Sequence, residues 1–281
     1  MREKKNHRPF LPLPKEHGSW AMWSVPLVIG LAASAQVSAQ WQWRSVLLIV
    51  ASLGFFLLRF PVDLLIKTRK RPTTDRMWLI RWASVYGAVT AISGLWLVVV
   101  DQLYGLLLLG AVGALLLAYH WWLVEKRQEM SAPGELAGIV ALALGAPLAY
   151  YTASGQLGGT AVLLWLVNAL YFGGTVFYIK LKVRQQPREP RPDRVSERLI
   201  KARACLTYQS VVLTVACGLV GLLGQPLLLL LAFVPMTVKM VYGAMHWQDK
   251  KSLSLPRLGV IEIVHAALFA MLIIIAFWAA G

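Results

Sequence analysis

Arg59 and Asp63 stand four residues apart in the apolar stretch GFFLLRFPVD. On a helix that spacing puts them on one face, and a charge inside an apolar span costs a few kcal/mol even on lenient insertion scales. Two uses fit: an internal ion pair locking a kink at Pro61, or a cation presented to a buried anion with Asp63 orienting it. Glu262 and His265 are three apart in the last apolar run. They could act as an acid–base pair, as two metal ligands, or as a structural hydrogen bond. A third group opens the first apolar run: Lys15, Glu16 and His17 in KEHGSW. Lys15 and Trp20 suit an interfacial anchor. If the first helix packs against the last, Glu16 and His17 could instead face Glu262 and His265.

Four arginines form a further set. Arg76, Arg81, Arg198 and Arg203 begin apolar runs, where positive charge opposes the helix macrodipole. Helix stability does not explain them; an anionic lipid headgroup or a specific phosphate-bearing ligand would. Glu189, Asp193 and Glu197 recur every fourth residue among arginines. They read either as solvated ion pairs or as oxygen ligands for a divalent cation. His120 and His246 each precede a tryptophan and read as interfacial belt residues.

The elements that must position these groups are membrane helices. Of 281 residues 58% are hydrophobic and 15% charged, against roughly 25% charged in soluble domains, and the mean hydropathy is +0.60. Nine runs approach the roughly 20 residues that span a bilayer: 18–38, 45–66, 79–100, 103–123, 133–153, 159–180, 204–223, 226–244 and 258–279. A cytoplasmic N-terminus places every Lys and Arg except Arg44 on the inner face. That bias predicts a multi-pass protein of the bacterial cytoplasmic membrane, N-terminus in and C-terminus out. It also explains the net charge of +15 without nucleic acid. Residues 1–17 read as a basic cytoplasmic segment and 18–281 as one transmembrane domain, with long basic loops at about 67–78 and 181–203. Cys205 and Cys217 lie about 18 Å apart along one helix and cannot pair.

The inner loops match at a four-helix offset. IKTRKRP (66–72) pairs with IKLKVRQQP (179–187), and Arg76-x4-Arg81-x4-Tyr86 pairs with Arg198-x4-Arg203-x4-Tyr208. His120-Trp121 and His246-Trp247 are each followed by an acid and two bases. The pattern predicts one leading helix and two parallel four-helix repeats, spans 2–5 and 6–9, with a site at their interface.

KEHGSW followed by RFPVDLLIKTRKRP resembles the YwiC-like family of bacterial membrane proteins over most of the chain. Nine helices with long inner loops after spans 2 and 6 look more distantly like the UbiA-type intramembrane prenyltransferases. That superfamily holds magnesium on an isoprenyl diphosphate through N-D-x2-D-x3-D and D-x3-D motifs. Here the first reads Arg59, Phe60, Asp63 and Lys67, with Arg71-Pro72 following; the second would be Glu189, Asp193 and Glu197. Only the middle aspartate of the first motif survives, and cations stand where carboxylates would be.

These readings predict an all-α, UbiA-like membrane protein that binds an isoprenyl diphosphate or other anionic amphiphile, with prenyl transfer as the leading reaction. Arg59, Lys67, Arg71, Arg76, Arg81, Arg198 and Arg203 would hold the anion. Asp63, Glu16, His17, Glu262 and His265 would orient it or move protons. Mg2+ would sit on Asp63, Glu189, Asp193 and Glu197. The alternatives are a transporter or flippase of an anionic solute, with Asn168 as the midplane polar group, and a non-catalytic scaffold for lipid or a partner.

Overall fold

The computed structural model describes residues 13, 17–35, 37, 43–69, 76–185, 194–223, 225–246 and 255–280. Among them there are helices and no strands. Eight stretches are long and apolar enough to cross a membrane, and a shorter apolar helix, Gly18–Ser34, precedes them. The protein is therefore an integral, multi-pass helical protein.

The first helix is α1 (His17–Ser34), followed by α2 (Trp43–Lys67), α3 (Arg76–Val99) and α4 (Gly105–Glu125). The next stretch is broken into α5 (Ala132–Ala143) and α6 (Gly145–Ser154). Then come α7 (Gly159–Lys180), the short α8 (Val195–Lys201) and α9 (Arg203–Leu223). A second broken stretch gives α10 (Leu228–Leu231) and α11 (Val234–His246), and α12 (Leu255–Ala280) closes the bundle. Both breaks have a proline cause. Pro147 and Pro235 lack the N–H that would pair with the carbonyls of residues 143 and 231, and the helices interrupt at Leu144 and at Ala232–Phe233. Pro26 and Pro61 are carried inside α1 and α2 without a break.

Side chains that water would not tolerate cover the outside: Ile92, Leu107, Leu115 and Val260 are all exposed. In a bilayer they form the lipid-facing surface. Inside, α1 lies against α6 and α12. Its approach to α6 is close enough that a Cβ at Gly30 would overlap the Ala146 carbonyl. Trp278 of α12 donates to the Ala32 carbonyl at 3.0 Å, so the first span does pack on the last. Arg44, the cation set apart from the others by sequence, pairs with Asp101 at 2.8 Å.

The interior divides into a large cluster built mainly from α7 and α9–α12, and smaller ones among α1–α6. In the former, a Cβ at Gly174 would overlap the tips of Met236 and Met240. Among α1–α6 the packing is incomplete, and a cavity remains.

Candidate functional site

That cavity has a volume of about 210 Å3, and its walls come from α1 to α6. Leucines dominate, among them Leu27, Leu48, Leu97, Leu106, Leu117 and Leu148. Gly94, Gly110, Gly113 and Gly138 also line it, which withholds side-chain volume from the wall. Two hydroxyls on the wall are already engaged: Ser52 donates to Ile49 O at 3.0 Å and Thr90 to Tyr86 O at 2.9 Å. The remaining polarity is concentrated in Arg59 and His120, the charged or titratable members of the lining, and in Trp23.

Helical spacing places Arg59, Asp63 and Lys67 along one face of α2. Asp63 Oδ2 lies 3.5 Å from Arg59 Nε and 3.2 Å from His120 Nε2, brought in by α4. A carboxylate only accepts hydrogen bonds, so His120 Nε2 carries the proton and, in the neutral ring, Nδ1 is an acceptor. His120 is 4% exposed, and its Nδ1 has no partner among the described residues; nor has Asp63 Oδ1. Trp23 stacks on Phe56 at 5.9 Å, one turn before Arg59, and its indole N–H is likewise buried without a partner. The Arg59 guanidinium packs beside Gly138 of α5.

One turn further along α2, Lys67 meets Glu129 at 2.9 Å. Burial pushes the Glu129 carboxyl upward, but the Lys67 hydrogen bond, a backbone hydrogen bond and the Lys67 charge outweigh it. The net effect is a lowered pKa. Lys67 is thus engaged in closing the loop after α4 onto α2.

A second buried charge pair lies outside the cavity. Lys239 of α11 donates to both carboxylate oxygens of Glu262 on α12, at 2.9 and 2.8 Å. Their side chains are 5% and 10% exposed, and the Tyr178 ring lies 4.9 Å from Nζ.

The model of the family described as YwiC-like protein matches residues 13–150. Over those residues, a little under half of the chain, the sequence is similar to that family. Over 268 residues, 95% of this chain and 98% of the relative, it is 24% identical to an uncharacterised protein of Haemophilus influenzae. Over 174 residues, 62% of this chain and 68% of the relative, it is 25% identical to the uncharacterised protein YwiC of Bacillus subtilis. No solved structure matches it. The whole cavity lining, from Trp23 to Leu148, falls within the residues that this family model matches; Lys239 and Glu262 fall outside them.

The candidate residues read from sequence separate. Arg59 and Asp63 come together as expected, at the cavity. Arg76, Arg81 and Arg203 are exposed and do not line it. Arg198 donates to Met245 O at 3.3 Å, and Lys182 to His246 O at 3.1 Å, so both meet the carbonyl end of α11, where cations are favoured. Glu262 faces Lys239, and the half-buried His265 bonds the Ile261 carbonyl through Nδ1 at 2.8 Å; the two do not form an acid–base pair. Lys239, grouped by sequence with the basic inner loops, is buried. His120, read as a belt residue, is the imidazole of the site. His246 stacks on Tyr242 near the end of α11.

Glu16, Arg71, Glu189 and Asp193 lie outside the described residues, as does the side chain of His17. Glu197 is exposed on α8. Among the described residues no three His, Cys, Asp or Glu side chains converge on a metal position. Asp63 is engaged by an arginine and a histidine, which compete with a cation, so the described residues do not fit magnesium. Cys205 and Cys217 are unpaired, as their spacing requires. Asn168 is buried in α7 and donates to Leu164 O at 2.8 Å.

Proposed function

We propose that this YwiC-like membrane protein binds an anionic amphiphile, with its apolar chain along the walls of α1–α6 and its anion against Arg59. The observation that carries this reading is the distribution of polarity in the cavity. Its walls are apolar, and Arg59, the one cation in its lining among the described residues, stands beside Asp63 and His120 at the same end of α2 as Lys67. A volume of about 210 Å3 is smaller than the roughly 300–1,000 Å3 of sites for drug-sized ligands, which suits a single chain. An isoprenyl diphosphate belongs to this class. The positive-inside bias supports a cytoplasmic basic end.

A UbiA-like arrangement, with α1 ahead of two parallel four-span groups, is supported by the packing of α1. It touches the last span of each group, α5–α6 and α12. The partners of Asp63 favour binding by fixed cations over metal-assisted prenyl transfer.

The test is calorimetric titration of the purified full chain in nanodiscs with farnesyl diphosphate, in magnesium and then in EDTA. Saturable binding that persists in EDTA and is lost in Arg59→Gln is expected. Binding that requires magnesium would restore the transferase reading. Affinity unchanged in Arg59→Gln would refute the site.

A further inference from the structure

The polar end of the cavity is specified more closely than an anion requires. Arg59 and the Trp23 indole offer donors, which any anionic oxygen satisfies. His120 offers the opposite. Asp63 accepts from Nε2, which leaves Nδ1 of the neutral ring as an acceptor; it is buried and without a partner among the described residues, on a ring that lines the cavity. An acceptor left unsatisfied in such a place is costly, and a bare phosphodiester, having no O–H, cannot satisfy it.

Resting on the proposed binding of an anionic amphiphile, we propose that the ligand is an anionic lipid whose head carries a free hydroxyl, and that His120 Nδ1 reads that hydroxyl. Asp63 is the positioning residue: it fixes the tautomer that makes Nδ1 an acceptor, and it holds Arg59 at the same carboxylate oxygen. The head then meets Arg59 with its phosphate and His120 with its alcohol. Other charged groups near the imidazole do not supply the missing donor. Glu129 is an acceptor whose cationic partner is Lys67, and the described residues of α1, α3 and α5 add no charged side chain to the cavity lining.

The test compares two single-chain probes that are both monoanions at pH 8: dodecyl phosphoglycerol, with free hydroxyls, and dodecyl methyl phosphate, with none. Binding to the purified full chain in nanodiscs is measured by calorimetry. The hydroxylated probe is expected to bind about tenfold tighter, the scale of one buried hydrogen-bonding group left unmade. His120→Phe should bring the two probes to equal affinity. His120→Gln should keep the preference, because a glutamine amide can donate to Asp63 and still present an acceptor oxygen. Equal affinity of both probes for the wild-type chain would overturn the hydroxyl reading and leave anion binding standing. Preference retained in His120→Phe would remove His120 from the role. Binding of neither probe would overturn the anionic-amphiphile reading, and this one with it.

Discussion

Replacing Lys239 by methionine should be among the most damaging single changes in the described structure, and a second replacement should undo the damage. Lys239 Nζ reaches both Glu262 oxygens at 2.8–2.9 Å, and with 5% and 10% exposure neither side chain can swing out to solvent. Lys239→Met therefore strands a buried carboxylate. Breaking a buried pair from one side costs about 3–5 kcal/mol, and an isolated acid at a helix centre in a membrane costs about 2.5–3.5 kcal/mol by insertion scales. Glu262→Gln should be milder: the lysine keeps the Tyr178 ring at 4.9 Å, a contact of roughly 0.5–2 kcal/mol, and the amide oxygen can still accept. The double change Lys239→Met, Glu262→Leu removes both charges together and should return close to wild type. The assay is thermal unfolding in nanodiscs, followed by the fluorescence of the 12 tryptophans. At about 2–4 °C per kcal/mol for a large domain, the single change should lower Tm by roughly 10 °C. Lys239→Met within about 2 °C of wild type, or a double variant as unstable as the single one, would refute the reasoning. The double variant should also keep amphiphile binding, because neither residue lines the cavity.

Further outcomes follow from the first half of the chain. A Cβ at Gly113 would sit 3.7 Å from Leu144 Cδ1, an ordinary contact, so Gly113→Leu should fill the cavity without unfolding the bundle; calorimetry should show binding at least about tenfold weaker with Tm preserved. The lowered pKa of Glu129 makes its link to Lys67 stabilising above the unfolded-state carboxylate pKa of about 4.3, and that contribution is lost as pH falls through the lower folded-state value. Unfolding scans between pH 7 and 3 should thus show a smaller acid loss in Glu129→Gln than in wild type. Replacing Arg76, Arg81 and Arg203 together by alanine should change probe affinity by less than about threefold, since all three are exposed and away from the cavity.

The spans were legible because lipid demands long apolar runs, and Arg59 with Asp63 were legible because they are neighbours on one helix. His120 was not. It meets Asp63 across 57 residues of sequence, and α4 is apolar on nearly every side, so no pattern along the helix says which face turns inward. Lys239 did carry a signal: it stands seven residues inside the end of α11, among Met, Val and Thr. A lone cation at that depth calls for a carboxylate, and Glu262 is the one acid in the last span. Assigning it to the nearer membrane face hid that argument. The Glu262–His265 pairing failed for a related reason. Shared helical register makes a contact possible, but a buried acid goes to the cation that compensates it, and a half-buried imidazole can settle for its own backbone.

The two ends of the chain handle buried charge in opposite ways. Around α11 and α12 methionine tips press on Gly174, and Lys239 and Glu262 neutralise each other at hydrogen-bond distance. That pair is a closed arrangement, in which each charge has its partner. Around α2 and α4 the glycines leave space, Arg59 sits at a looser 3.5 Å from its aspartate, and His120 Nδ1, Asp63 Oδ1 and the Trp23 N–H find no partner among the described residues. Folding alone would not favour this: a leucine at Gly113 would bury more surface. Space and unspent hydrogen bonds in one place fit a ligand whose chain fills the first and whose head satisfies the second.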